Sequence, residues 1–237
     1  MCAVLMTAGS ALLPSAYVQL IRSVLSVREE GLNVREVAEA AKSAYKRLRM
    51  SIIADRVLGK YGLSWDEFRE SAYGRGLGEL QYRIIGEIED FRLDLEAIVA
   101  GVDSDGAHIY LIENPGELSS FDDIGYTAIG SGEYHAIRSF IENEYSIGFS
   151  LEKALYVVYE AKKYAECAPG VGEQTEMAIV DERGVSEVDQ DTLAALEEIY
   201  AHKLRFMKEN LKKEMQSRID SLRKLLEGKG ILSVDVG

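Results

Sequence analysis

The sequence predicts an α+β domain followed by one long helix, and three observations carry that prediction. Apolar runs of strand length stand at residues 2–7, 97–103 and 108–113, the last two separated by a tight-turn signal. Amphipathic segments with helical spacing lie between and after these runs. From Leu193 to Leu226 apolar residues then recur by threes and fours without a break. The expected organisation is a domain over residues 1–190, interrupted by a helical insertion at about 50–95, with a helical extension over 191–230.

In chain order, Cys2-Ala3-Val4-Leu5-Met6-Thr7 reads as a buried strand that turns at Ala8-Gly9-Ser10. Residues 11–27 follow as a helix with Leu13, Tyr17, Leu20, Ile21 and Val24 inward, and Pro14 sits in the first turn, where a missing N–H costs little. Asn33 is a cap for a second helix whose apolar face carries Val34, Val37, Ala38, Ala41, Tyr45 and Leu48. In the insertion, a short helix follows Ser64 at Trp65-Asp66-Glu67-Phe68, and another spans Leu77 to Phe91. The glycines of the junction at 73–78 follow a helix, so they are not a dinucleotide-binding loop.

Residues 97–103 are a second buried strand, Asp105-Gly106 a hairpin turn and 108–113 the returning strand, ended by Asn114-Pro115-Gly116. Tyr126-Thr127-Ala128-Ile129 is expected as a further strand, followed by Gly130-Ser131-Gly132 and a helix to Asn143. Ser150 caps the next helix, and Thr175–Val180 is expected as the last core strand, turning at Asp181–Gly184. The tail spacing averages about 3.67 residues, the eleven-residue value that suits a nearly straight helix, with Asp191 as cap and Gly228 as stop.

Composition excludes several function classes. The 237 residues carry a formal charge of −13, which argues against broad contact with nucleic acid or anionic lipid. No apolar run is long enough to span a bilayer. Cys2 and Cys167 are the only cysteines and no Cys/His cluster exists, so neither a disulfide framework nor a metal site is expected. No motif points to a cofactor, and the expected compartment is a reducing cytoplasm.

Gly101-Val102-Asp103, His108–Ile112 and Ala128-Ile129-Gly130-Ser131-Gly132, in this order, resemble the second half of proteasome β-type subunits and HslV-type peptidases. Gly172 with Thr175-Glu176, Ser150–Ala154 and the Met6–Ser10 corner extend the resemblance over roughly residues 2–180. It implies an Ntn-hydrolase αββα sandwich and threonine-type peptidase chemistry on polypeptide, in a homo-oligomer or a ring with related subunits. The family's nucleophile is an N-terminal Thr, assisted by a terminal amine or Lys and an oxyanion-binding N–H. On the resemblance, Gly9 takes the oxyanion position and Ser131 is a buried hydroxyl that orients the nucleophile. Read from the residues alone, Gly9 makes a tight corner and Ser131 caps the following helix.

Only eight residues precede Gly9, so the resemblance implies that the sandwich is incomplete at the N-terminus and that the chain as written is inactive. The loop Ala168-Pro169-Gly170-Val171 stands where active members often carry an Asp and a Ser. Other nucleophiles fare no better. Cys2 lies seven residues from Gly9 on one strand, roughly 23 Å at about 3.3 Å per residue. Thr7 is internal, and Ile129 two residues before Ser131 breaks the nucleophile-elbow pattern. His135 reads as a surface or capping histidine. His108 is expected to alternate outward on its strand and His202 to lie on the long helix, both without partners. A non-catalytic assembly subunit and an Ntn amidohydrolase are the alternative readings.

Overall fold

The computed structural model describes residues 1–26, 31–74, 78–229 and 231. Val27, expected to end the first helix, and residues 75–77 of the predicted junction lie outside the described residues. The chain divides into two compact units, Met1–Glu187 and Val188–Gly237.

In the first unit, β1 (Cys2–Gly9), β2 (Leu95–Asp103), β3 (Gly106–Glu113) and β4 (Glu117–Ser120) form an antiparallel sheet in the order β1-β2-β3-β4. The register opposes Leu5 to Val99, Val99 to Tyr110 and Ile112 to Leu118. Because side chains alternate along a strand, this register sets Leu5, Leu95, Ala97, Val99, Tyr110, Ile112 and Leu118 on one face. Helices α1 (Pro14–Leu25) and α2 (Val34–Arg56) cover that face. α2 presents Val34, Ala38, Ala41, Ala44 and Tyr45, all fully buried. The Tyr45 hydroxyl donates to the Leu95 carbonyl at 2.9 Å and the Tyr17 hydroxyl to the Ala41 carbonyl at 3.1 Å. The two rings meet edge to face at 6.2 Å. Burial pushes both phenols well above their ordinary range.

The start of α2 is fixed twice. Asn33 caps it and forms a capping box with Glu36. Asp103, at the end of β2, then accepts the Val34 N–H at 2.8 Å across 69 residues. The other Asp103 oxygen accepts from the Asp105 N–H, so the hairpin turns on Ser104-Asp105 and Gly106 already opens β3. That oxygen also lies 3.2 Å from His108 Nε2, while His108 Nδ1 lies 2.8 Å from Asp122. Asp122 in turn accepts the Ile109 N–H at 2.8 Å. The expectation that His108 points outward without partners is therefore wrong. His108 shares strand parity with Tyr110 and Ile112, and so lies on the covered face.

The helical insertion grows out of the last turns of α2. A 3₁₀ turn (Leu58–Tyr61), α3 (Trp65–Gly74) and α4 (Glu79–Asp90) surround a small core of Ile53, Val57, Leu58, Phe68 and Ile84. Ser64 and Glu67 form a capping box at the start of α3. Arg49 satisfies the end of α4 by donating to the carbonyls of Ile88 and Phe91 at 3.0 and 3.1 Å. Phe91 packs against both cores and joins the insertion to the sheet.

Three sequence expectations need correction. Tyr126–Ile129 is not a strand: the Tyr126 ring stacks on Phe140 at 4.3 Å and meets Tyr145 at 5.5 Å, which holds the segment on α5 (Glu133–Glu142). β4 was not expected, since Glu-Leu-Ser-Ser has no apolar run; it forms because the Asn114-Pro115-Gly116 turn delivers it to β3. The last strand, β5, begins only at Ala178 and pairs with a short partner, β6 (Gly184–Glu187), in a separate two-stranded sheet near β1 and β2. Asp181 locks the hairpin between them by accepting the N–H groups of Arg183 and Gly184.

α5 and α6 (Leu151–Ala165) pair around Phe140, Val157 and Ala161. Buried Glu160 is enclosed there by hydrogen bonds from Ser139, Asn143 and Tyr156. In the second unit, α7 runs from Gln190 to Gly228, capped by Asp189 rather than Asp191, with Asp189 accepting the Thr192 N–H at 2.7 Å.

Ala41→Leu should cost about 1–3 kcal/mol by overpacking the α2–sheet contact, read as a lower urea midpoint with an unchanged slope. A second expectation concerns pH. The hydrogen bond to Asp122, strengthened by the charge of both carboxylates, raises the His108 pKa. Its stabilisation is therefore full below about pH 6.5 and is lost as pH rises through the raised folded value. The Asp103 carboxyl is lowered by the Val34 and Asp105 N–H groups. Burial pushes Asp122 up, but the bonds from His108 and Ile109 outweigh it and leave it lowered. The carboxylate contribution is thus present above about pH 3.9 and is lost as pH falls through the lowered values. The melting-temperature gap between the wild type and His108→Asn should be widest between these limits and should close as pH rises through the raised His108 value.

Candidate active site

The cleft with the most chemistry is built where three chain corners converge. At the first, β1 ends on Gly9 with φ of +110°, and a Cβ there would stand 2.4 Å from the Asp94 carbonyl oxygen. Ser10 N–H donates to that same oxygen at 2.8 Å, so only glycine lets β1 turn against residues 93–95. At the second, the Gly130 N–H donates to the Glu96 carboxylate at 2.8 Å. A Cβ on Gly132 would lie 2.6 Å from the Ala165 Cβ, so glycine seats the start of α5 on the end of α6. At the third, the 168–172 loop is held by Lys162, whose ammonium donates to the Gly172 carbonyl at 2.7 Å and to Glu166 at 2.8 Å.

These corners enclose a cleft of about 450 Å³, lined among others by Gly9, Ser131, Lys162, Val171 and Gln174. A second hollow of about 390 Å³ adjoins it, bordered by Gly9, Ser131, Asp94, Glu96 and Asn114. Both sequence-identified positions, Gly9 and Ser131, line both hollows. Ser131 is exposed, so it is not the buried hydroxyl that the resemblance implies. Nor does it cap α5, whose N-cap is Gly132 with no side-chain bond. It stands on the rim between the two hollows.

The electrostatics are acidic on one side. Burial raises the Glu133 carboxyl pKa, and the nearby Glu96 and Glu113 charges add to that. On the other side, burial pushes Glu166 up, but hydrogen bonds from Lys162 and Lys163 hold it below the usual range. Lys162 is thereby committed to Glu166 and the loop carbonyl. Among the described lining residues Ser131 supplies the one hydroxyl, and no imidazole joins it.

The other candidates lie apart. Cys2 pairs with Val102 at the far end of β1 from Gly9, and Thr7 is internal to β1 opposite Ala97. Cys167 is exposed. His135 is exposed on α5 and His202 on α7. Among the described residues no group of His, Cys, Asp and Glu is arranged to hold a metal ion, and no helix is long and apolar enough to cross a membrane. What the sequence reading missed at this site is Glu96, Lys162 and Glu166, whose roles depend on contacts between distant segments.

No protein-family model matches the chain. It is 31% identical over 125 residues to proteasome subunit beta 1 of Korarchaeum cryptofilum, covering 52% of this chain and 58% of that one. It is 37% identical over 92 residues to proteasome subunit beta 2 of Haloterrigena turkmenica, covering 38% of this chain and 37% of the relative. A proteasome subunit beta of Haloferax volcanii matches at 35% over 94 residues, 38% of this chain and 36% of the relative. The matched segments thus span less than two thirds of the length of these relatives. Among solved structures, a Gly-1 mutant of Anbu from Hyphomicrobium sp. strain MC1 superposes with a TM-score of 0.58 at 16% identity, covering 87% of this chain and 78% of that one. The chain is proteasome-like: its fold is of the Ntn-hydrolase type, and its sequence is related to proteasome β subunits over about half its length.

Proposed function

We propose that this chain is a subunit of a proteasome-like assembly that supplies the oxyanion side of a threonine-peptidase cleft and does not hydrolyse peptides by itself. The observation that carries the reading is the convergence of Gly9, Ser131 and the 170–172 loop on one cleft. This is the arrangement an acyl-transfer site needs on the side away from its nucleophile. Catalysis also needs a nucleophile beside a base, and the described residues of the cleft offer only Ser131, without an imidazole and with Lys162 already paired. The 168–171 segment, Ala-Pro-Gly-Val, contributes no acid or hydroxyl to the reaction. The substrate of the assembly is unfolded polypeptide, and its partners are copies of this chain or related β-type subunits.

The test is peptide hydrolysis by the purified chain on a panel of fluorogenic peptides, together with labelling by a threonine-directed electrophile. The expected result is turnover no faster than buffer and no label. Turnover that vanishes in Ser131→Ala would show that the chain carries its own nucleophile and would overturn the reading.

A further inference from the structure

The cleft between Gly9, Ser131 and the 168–172 loop holds a single charge. Among its described lining residues Lys162 is the one ionisable side chain, and Ser131 and Gln174 are the other polar ones. In a chain of formal charge −13, that charge is of the minority sign. The donors of Lys162 are not exhausted. An ammonium group has three N–H donors. Two of them go to Glu166 Oε1 at 2.8 Å and to the Gly172 carbonyl at 2.7 Å, and the third has no partner among the described residues. Glu166 does not neutralise the group by itself, because the same carboxylate also takes Lys163 at 3.1 Å. The Lys162 side chain keeps 26% of its surface open.

A free ammonium donor calls for an anionic oxygen, since a hydrogen bond between two charged groups is roughly twice as strong as a neutral one. The adjoining hollow would reject such a ligand. Glu96 borders it with its carboxylate fixed on the Gly130 N–H, and the Glu133 carboxyl is close enough to feel the Glu96 and Glu113 charges. An anion in this region is therefore driven to the Lys162 wall. Gly9, Gly130, Gly132, Gly170 and Gly172 all line the cleft, so its walls are main chain that another backbone can approach closely. One remaining N–H matches one carboxylate oxygen, whereas a phosphate would bring more acceptors and more charge than a single ammonium group can serve. The chemistry that fits is the free C-terminal carboxylate of a peptide, a mode of recognition known from other peptide-binding sites.

The geometry points to Lys162 as a ligand-binding residue: the third N–H of its ammonium group holds the C-terminal carboxylate of a peptide lying in the cleft. The inference rests on the reading of this cleft as a polypeptide site, and it adds which end of a peptide the cleft takes. Isothermal titration of the full chain with acetyl-trialanine and with its C-terminal amide tests it. The free acid should bind about tenfold tighter than the amide, the size expected of a hydrogen bond to a charged group. In Lys162→Met and Lys162→Gln the two peptides should bind alike, and in Lys162→Arg the preference for the acid should return. Glu166→Gln removes the competing carboxylate and keeps the ammonium, so the preference should be kept or rise. A Lys162 that merely props the loop would weaken acid and amide together and leave their ratio unchanged in Lys162→Met, and that result would overturn the proposal. Equal binding of the two peptides by the wild type would do the same. Displacement of the acid by an equal concentration of inorganic phosphate would make this a general anion site and would sink the peptide assignment. Binding of neither peptide would remove the proposal together with the polypeptide reading. Turnover that depends on Ser131, by contrast, would overturn the reading of the chain as inactive and leave the preference for the acid in place.

Discussion

Helix α2 lies on the four-stranded sheet through Ala38, Ala41 and Ala44, so its backbone comes close enough for side-chain hydroxyls to reach main-chain carbonyls. Much else follows from that close seating. It leaves room for Tyr45 to reach Leu95, which fixes the start of β2 and with it the turn against Gly9. It also places Val34 where Asp103 can accept its N–H, which ties the β2–β3 hairpin to the start of the helix. The carboxylate adds a negative charge at the positive end of α2, where the helix dipole favours it. The Gly-x-Asp sequence is thus explained by architecture: Gly101 because a Cβ would strike the Cys2 carbonyl at 2.4 Å, and Asp103 because it serves two N–H groups and a histidine.

The cleft inherits its shape from the same constraint. With β2 fixed, Glu96 points to the opposite face and receives the Gly130 N–H, which sets the 130–132 turn beside Gly9. The cleft is therefore made mostly of main chain and small residues, positioned by glycine contacts and backbone hydrogen bonds.

Much of the fold was legible in the sequence. The run 97–103, the turn signal and the run 108–113 announce their hairpin because alternation and turn chemistry are local. Asn33 and Ser150 announce their caps for the same reason, and both accept the expected N–H groups. The failures are non-local. Glu117–Ser120 is a strand only because β3 offers an edge, and Tyr126–Ile129 is not one because Phe140 and Tyr145 capture its tyrosine. The parity of His108 with Tyr110 and Ile112 is readable from the sequence, but its partner Asp122 lies in a segment without periodicity. Gly9 and Ser131 were singled out by resemblance, and their shared cleft became visible only in three dimensions.

The bond from Val34 to Asp103 also closes a loop of 69 residues that contains the whole helical insertion. Closing a loop costs entropy that grows only as the logarithm of its length, about 0.6 kcal/mol for each doubling. The β2–β3 hairpin is local and can form on the microsecond scale, whereas docking the start of α2 on it closes the loop that carries the insertion. A chain with a longer or shorter insertion would therefore pay nearly the same entropy to close this contact, so the length of the insertion can vary while the sheet and α2 stay joined.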